Sequence, residues 1–296
     1  MSTHRLLAFV LLLLFAIAPP LYAEVDAKPI EQTFDSNGVS INYIVKGEGE
    51  PVILVHGFPM NLRVQWVGTG VFDSLAEHFQ VIAFDSRGHG KSGKPHGADD
   101  YGLEMVKDVI RLMDHLEIER AHVCGYSMGG FLTMKLVTAY PERVISAISG
   151  GAGWPEAGRD TEKMAMDLAE SLENGEGLGP ILRYLNPIGR PEPTPQQIEM
   201  IDKVYLANND VLALAESVRG MGACAVTEQE LRDNNVPTLT LIGEIDPMKA
   251  SVDLLEGVMA NHKTIIIDGA DHLTTVGHPD YVKAMLAHLS ANSVEN

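Results

Sequence analysis

Short apolar runs separated by longer amphipathic segments make up most of this chain, and the alternation predicts strands and helices in turn. The runs are continuously apolar, which is typical of strands that a sheet buries on both faces. Residues 38–47 (GVSINYIVKG) predict an edge strand. The predicted buried strands are residues 51–57, 79–85, 121–127, 143–151, 236–246 and 263–271.

Helices are predicted between these runs, at residues 103–116, 129–140 and 279–289, where apolar positions recur at helical spacing. The second of them stops before Pro141, since proline cannot continue a helix. Strand followed by helix in this rhythm predicts an α/β fold with a mostly parallel, doubly wound sheet.

Residues 154–222 interrupt the rhythm. Strand-like runs are missing there, and Met, Leu, Ala and Glu dominate on both sides of a turn-rich stretch. We therefore predict a helical cap inserted into a core domain formed by residues 24–153 and 223–296. Its methionines, Met164, Met166 and Met200 among them, are predicted to be core residues, with one or two lining an adaptable apolar pocket.

The first 23 residues have the features of an export signal. A basic residue, Arg5, precedes an apolar run from Leu6 to Ala18, and the small Ala23 suits a cleavage site. The alternative is an uncleaved membrane anchor, but the run is shorter than the ~20 residues of a spanning helix. We expect an exported protein, periplasmic or secreted, without stable membrane association after cleavage.

The formal net charge of −18 limits the classes of partner. Such a surface repels phosphate backbones and anionic lipid headgroups, so we expect neither nucleic acid as a partner nor peripheral association with a membrane. Acidity also keeps an exported protein soluble. The oligomeric state stays open. Cys124 and Cys224 are the only cysteines, and we expect both to be free and buried.

The stretch GYSMGG (125–130) carries the strongest chemical signal. Gly-x-Ser-x-Gly between a strand and a helix predicts a sharp turn that lifts the Ser127 hydroxyl clear of the sheet. The helix that follows offers free backbone N–H groups to a developing negative charge. Ser127 is a candidate nucleophile; the alternative is a structural serine in a turn.

A serine nucleophile needs a base and a group that orients the base. Such groups are expected beyond the carboxyl ends of parallel strands, and two later predicted strands end in suitable residues. Asp246 follows the first and His272 the second, which gives the chain order Ser, Asp, His. Competing candidates remain at Glu244, Asp271 and His278.

The transition state also needs donors for its oxyanion. The backbone N–H of Met128, directly after the serine, is one candidate, and that of Phe58, in the loop after residues 51–57, is the other. His56 and His89 precede glycines in turns, and we expect them to hold loop backbone by hydrogen bonds.

Five motifs in order, HGFP (56–59), DSRGHGKS (85–92), GYSMGG (125–130), GEIDP (243–247) and GADH (269–272), resemble those of the α/β-hydrolase superfamily across about residues 34–290. The resemblance implies a catalytic triad of Ser127, Asp246 and His272, with a substrate pocket between sheet and cap. It also implies a structural role for Asp85, and Arg87 is expected to support the same loop.

The expected function is hydrolysis of a small-molecule ester through an acyl-enzyme intermediate. The same triad also allows a carbon–carbon bond hydrolase or a cofactor-free perhydrolase, and a non-catalytic binding protein is the alternative from another class. No cofactor and no metal are expected, because the chain lacks His-Glu-x-x-His, Cys-x-x-Cys and the glycine-rich nucleotide patterns.

Overall fold

The computed structural model describes residues 29–154 and 161–294. Eight strands form one sheet. In chain order they are β1 Gln32–Ser36, β2 Val39–Lys46, β3 Pro51–Val55, β4 Gln80–Phe84, β5 Ala121–Tyr126, β6 Val144–Gly150, β7 Thr238–Gly243 and β8 His262–Ile267.

The order of the strands across the sheet is β1-β2-β4-β3-β5-β6-β7-β8. β2 pairs antiparallel with β1 and with β4, and every other pairing is parallel. The predicted mostly parallel α/β sheet is therefore confirmed. The strand predicted at 38–47 is present as β2, but its predicted place at the edge is wrong, because β1 covers its outer side. The largely polar sequence of β1, QTFDS, gave no apolar run to detect.

Ten α-helices accompany the sheet within the described residues. They are α1 Val71–Ala76, α2 Leu103–His115, α3 Met128–Ala139, α4 Thr161–Glu173, α5 Gly179–Tyr184, α6 Pro195–Tyr205, α7 Val211–Gly220, α8 Glu228–Asp233, α9 Lys249–Asp253 and α10 Pro279–Ala291. Residues of α2 and α3 pack into the apolar cluster on one face of the sheet, and residues of α1 and α10 into that on the other. Both faces of the central strands are thereby buried.

β8 departs from the predicted set of buried strands. It forms the edge of the sheet beyond β7, and its Ile265 and Ile266 are 40% and 44% exposed. The apolar run therefore predicted a strand correctly but not its burial, since no further strand lies outside it and the preceding helix α9 spans only five residues.

Helices α4 to α8 lie in the chain between β6 and β7, and α4 to α7 fall within residues 154–222, where the sequence predicts a helical insertion. α4 and α7 share an apolar cluster that includes Leu168, Leu172 and Leu214. Met200 on α6 is 67% exposed, so its prediction as a core residue is wrong. The domain limits at 154 and 222 stay a prediction.

The predicted signal segment, residues 1–23, lies outside the described residues, and export stays a prediction. In the part of the chain that the structure describes, no helix has the length and apolarity needed to cross a bilayer.

Candidate active site

Ser127 lies at the turn between β5 and α3 with φ at +53°, a left-handed conformation that is strained for a residue with a side chain. The two flanking glycines make room for the turn. A Cβ at Gly125 would lie 1.9 Å from the carbonyl oxygen of Gly129, and one at Gly129 would lie 2.1 Å from that of Val55. No other residue fits either position without moving backbone.

A continuous chain of hydrogen bonds joins three of the predicted site residues. The Ser127 hydroxyl lies 3.0 Å from Nε2 of His272, and Nδ1 of His272 lies 2.8 Å from Oδ2 of Asp246. Asp246 has no exposed surface and His272 is 4% exposed. With Nδ1–H donating to the carboxylate, Nε2 is left to accept the serine proton.

Asp246 and His272 are each held in place by a further hydrogen bond. The other carboxylate oxygen of Asp246 accepts the backbone N–H of Met248 at 2.8 Å. The Tyr126 hydroxyl donates to the backbone carbonyl of His272 at 2.6 Å, and the two rings pack with centroids 5.3 Å apart. Tyr126 was not among the predicted residues, because its partner lies 146 positions away in the sequence.

The competing candidates are engaged elsewhere. Glu244 accepts the backbone N–H of Gly269, and Asp271 accepts the backbone N–H groups of the two residues beyond His272. The His278 ring accepts a backbone N–H at the start of α10. None of the three is hydrogen-bonded to Ser127 or His272 among the described residues.

Phe58 and Met128 line the same cavity as Ser127 and His272. Met128 is the first residue of α3. The N–H groups in the first turn of a helix have no acceptor within that helix, so the N–H of Met128 is free of an intrahelical bond. The loop that carries Phe58 is fixed just before it, where the backbone N–H of Gly57 donates to the Gln65 side chain at 2.7 Å. Their positions suit backbone donors at the serine.

His56 and His89 support loops, as the sequence predicts. Nδ1 of His56 lies 2.8 Å from the carbonyl of Gly57, and its Nε2 accepts the N–H of Ser86 at 3.0 Å. Nδ1 of His89 bonds the carbonyl of Arg87. Burial lowers the pKa of His56 to about 4 and that of His89 to about 3, so both rings are neutral at pH 7.

A buried ion pair fixes the segment after β4. Arg87 donates through Nε and Nη2 to the two carboxylate oxygens of Asp108 on α2, each at 2.7 Å, and Ser36 donates to the same carboxylate. Asp85 accepts the backbone N–H groups of Leu62 and Lys91. The supporting roles expected of Asp85 and Arg87 agree with these contacts.

The cavity above Ser127 has a volume of about 570 Å³ and lies between the sheet and helices α4, α5 and α7. Its wall is mainly apolar and includes Phe58 and Phe131. Among the residues that the structure describes, six methionines line it: Met128, Met134, Met164, Met166, Met221 and Met248. The flexible thioether side chains can adapt to ligands of varied shape.

Both cysteines are free and buried, as predicted, and burial raises the pKa of the Cys224 thiol to about 11. Within residues 29–154 and 161–294, no group of three or more His, Cys, Asp or Glu side chains is arranged to hold a metal ion.

Comparison with known proteins identifies the class. Residues 50–174 match the family model of the α/β-hydrolase fold. The chain is 28% identical to 3-oxoadipate enol-lactonase 2 of Acinetobacter baylyi over 84% of its own length and 92% of that enzyme. It is 27% identical to the pimeloyl-(acyl-carrier protein) methyl ester esterase of Aeromonas hydrophila, over 82% of this chain and 96% of the esterase.

The fold agrees with a solved structure as well. A thermophilic esterase from Thermogutta terrifontis superposes with a TM-score of 0.72, at 24% identity, over 90% of this chain and 99% of the esterase. The chain has the α/β-hydrolase fold. Its similarity to the two enzymes above, along nearly their whole length, shows that it is an enzyme, a hydrolase of that fold.

Proposed function

We propose that the protein is a serine hydrolase that cleaves the ester bond of a small molecule through an acyl-enzyme intermediate. One observation carries the proposal: two successive hydrogen bonds, of 2.8 and 3.0 Å, join a buried carboxylate to an imidazole and the imidazole to a serine hydroxyl at the floor of an apolar cavity. A hydroxyl alone is a poor nucleophile, and this arrangement supplies the base it lacks.

In the first half of the reaction, Ser127 Oγ attacks the ester carbonyl and its proton passes to Nε2 of His272. Asp246 keeps the ring in the tautomer that leaves Nε2 free, and its charge stabilises the imidazolium that forms. The imidazolium then returns the proton to the departing alcohol oxygen, which leaves the acyl group on Ser127.

In the second half, His272 takes a proton from water as the water attacks the acyl carbonyl. It returns this proton to Ser127 Oγ as the bond between Oγ and the acyl group breaks, which releases the acid product. The backbone N–H groups of Met128 and Phe58 stabilise the oxyanion in both halves. The position of both residues supports this role, because they lie on the cavity wall beside Ser127.

Among the relatives that span more than 80% of the chain, two favour esters over other substrates of the same chemistry. One is named a methyl ester esterase and the other an enol-lactonase, and a lactone is a cyclic ester. The proposed substrates therefore include open-chain esters and lactones. Carbon–carbon bond hydrolysis and perhydrolysis are the alternatives, and the experiment below separates ester hydrolysis from both.

The test is the rate of p-nitrophenyl butyrate hydrolysis by the protein and by its Ser127→Ala variant. We expect kcat to fall by up to ~10⁶-fold in the variant, as is typical when a triad nucleophile is removed. Ser74→Ala on α1 is the matched control and should hydrolyse the ester at the original rate.

Equal rates for the protein and Ser127→Ala would overturn the proposal, as would the absence of ester hydrolysis in a correctly folded protein. In the second case, formation of peracid from acetate and hydrogen peroxide would indicate the perhydrolase.

A further inference from the structure

Arg219, near the end of α7, lines the cavity but is already paired with two carboxylates. Its Nη1 and Nη2 donate to the two oxygens of Glu173 at 2.7 and 2.6 Å, a bidentate pair. Nη1 also donates to Glu216 at 2.9 Å. We call Glu173, Glu216 and Arg219 the acidic clamp.

The clamp carries one positive and two negative charges, so its net charge is negative. The hydrogen bonds from Arg219 lower the pKa of Glu173, which keeps that carboxylate ionised at neutral pH. Among the cavity residues that the structure describes, Arg219 is the only arginine or lysine, and Glu162 at the exposed start of α4 adds a further acid.

The remainder of the wall, as described, is dominated by methionine and other apolar side chains. A carboxylate on the acyl group of a substrate would lose its water on entering this space, and it would meet a cation whose charge is already balanced by two carboxylates. A carboxylate bound to the remaining N–H groups of Arg219 would lie close to the carboxylates of Glu173 and Glu216, and like charges at that distance repel each other.

We propose that the acidic clamp makes the cavity select esters with an uncharged, apolar acyl group and reject those whose acyl group ends in a carboxylate. The inference rests on the proposed ester hydrolysis and adds the substrate class of the same site. Glu173 and Glu216 are its specificity-determining residues, because their carboxylates compensate the positive charge that would otherwise attract an anionic substrate to Arg219.

Three substrates separate charge from length: p-nitrophenyl hexanoate, mono-p-nitrophenyl adipate and the neutral p-nitrophenyl methyl adipate. We expect kcat/KM for the anionic ester to be about 100-fold below that of the hexanoate, as close like charges cost that much or more. The methyl adipate, which is longer but uncharged, should be hydrolysed within about 5-fold of the hexanoate, since volume alone discriminates weakly.

The Glu173→Gln/Glu216→Gln double variant tests the clamp itself. It keeps the size of both side chains but leaves Arg219 with its full charge, so kcat/KM for the anionic ester should rise at least about 10-fold while the hexanoate rate changes little. Glu170→Gln is the control: Glu170 is an exposed acid on the same helix, α4, and its replacement should leave the ratio unchanged.

A second readout does not depend on turnover. In the Ser127→Ala background, the dissociation constants of methyl hexanoate and monomethyl adipate are compared by calorimetry, with and without the double change. The neutral ester should bind at least about 10-fold more tightly than the anionic one, and the ratio of the two dissociation constants should fall when the clamp carboxylates are removed.

Each outcome bears on one proposal. Equal kcat/KM or equal affinity for neutral and anionic esters overturns the proposed role of the acidic clamp. It is also overturned if the double variant keeps the preference for the neutral ester unchanged, or if Glu170→Gln alters that preference as well. Loss of all ester hydrolysis would instead contradict the proposed function, and the binding ratio would still decide the clamp.

Discussion

At the residue scale, the site depends on one strained serine and on how its neighbours hold the strain. The backbone N–H of Ser127 donates to the carbonyl of Gly150 at 2.7 Å, and the carbonyl of Ser127 accepts the N–H of Phe131 at 3.0 Å. These bonds secure both sides of the turn, so the hydroxyl stays beside His272 while the left-handed conformation is maintained.

The first residue-scale prediction concerns the carboxylate. Asp246→Asn keeps the shape of the side chain but no longer favours the tautomer in which Nε2 accepts a proton, so kcat should fall about 10⁴-fold. Steady-state hydrolysis of p-nitrophenyl butyrate measures the change. Asp271→Asn, in the neighbouring loop, is the matched control and should lower kcat by less than about 10-fold; a larger loss there would assign the role to Asp271.

The second residue-scale prediction concerns Tyr126. Tyr126→Phe keeps the ring against His272 but removes the donor to its carbonyl, so the loop that carries the imidazole is held less firmly. We expect kcat to fall about 10-fold with KM little changed, because small misplacement of a catalytic group affects the chemical step. A change confined to KM would contradict this positioning role.

At the element scale, loops of very different sequence position meet because parallel strands place their carboxyl ends at one edge of the sheet. Ser127 follows β5, Asp246 follows β7 and His272 follows β8. The long segment after β4 is anchored instead by Arg87, which joins it to α2 through Asp108 and to β1 through the carbonyl of Ser36.

The element-scale prediction is a stability change at this anchor. Asp108→Asn leaves the Arg87 charge buried without its counter-ion, and Arg87 is only 2% exposed, so the free energy of unfolding should fall by about 3–5 kcal/mol. Urea titration monitored by circular dichroism measures the loss. Asp114→Asn breaks the exposed pair with Arg143 and should cost less than about 1 kcal/mol; equal losses would contradict the argument.

At the scale of the whole molecule, stability depends on histidines that the fold keeps neutral. Burial lowers the pKa of His56 and His288 to about 4 and that of His89 to about 3, whereas an unfolded histidine titrates near 6.5. Nε2 of His56 already accepts a hydrogen bond from Ser86, so protonation there would break it.

The sign of the pH effect follows from these values. Above about pH 6.5 neither state binds the extra protons, and the full stability is present; as the pH falls from there towards 4, only the unfolded chain takes them up. The free energy of unfolding should decline over this window, by at most about 1.4 kcal/mol per pH unit for each histidine.

Urea titrations at pH 7.5, 6.5, 5.5 and 4.5 measure this decline. His288→Gln removes one of the three histidines, so the free energy of unfolding should decline less steeply as the pH falls. The difference should be smaller than the maximum for one histidine, because the ring of His288 is partly exposed. A free energy of unfolding that does not change between pH 7.5 and 4.5 would contradict this prediction.

Much of the fold could be predicted because its signals are local. The apolar runs at β3 to β7 identify buried strands, and the Gly-x-Ser-x-Gly turn identifies the place of Ser127, since glycine spacing and apolar continuity need no knowledge of distant residues. β1 could not be predicted because four of its five residues are polar, and its place at the edge is fixed by pairing with β2. The exposure of β8 and of Met200 likewise depends on what packs nearby.

The sequence by itself therefore determined the class of fold, the serine turn, and a short set of acids and histidines at strand ends. Only the tertiary structure decided that Asp246 rather than Glu244 or Asp271 bonds to His272, that Tyr126 holds that histidine, and that two glutamates neutralise Arg219. The physical reason is range: propensity and periodicity act over a few residues, whereas hydrogen bonds and charge pairs join side chains that the folded chain brings together.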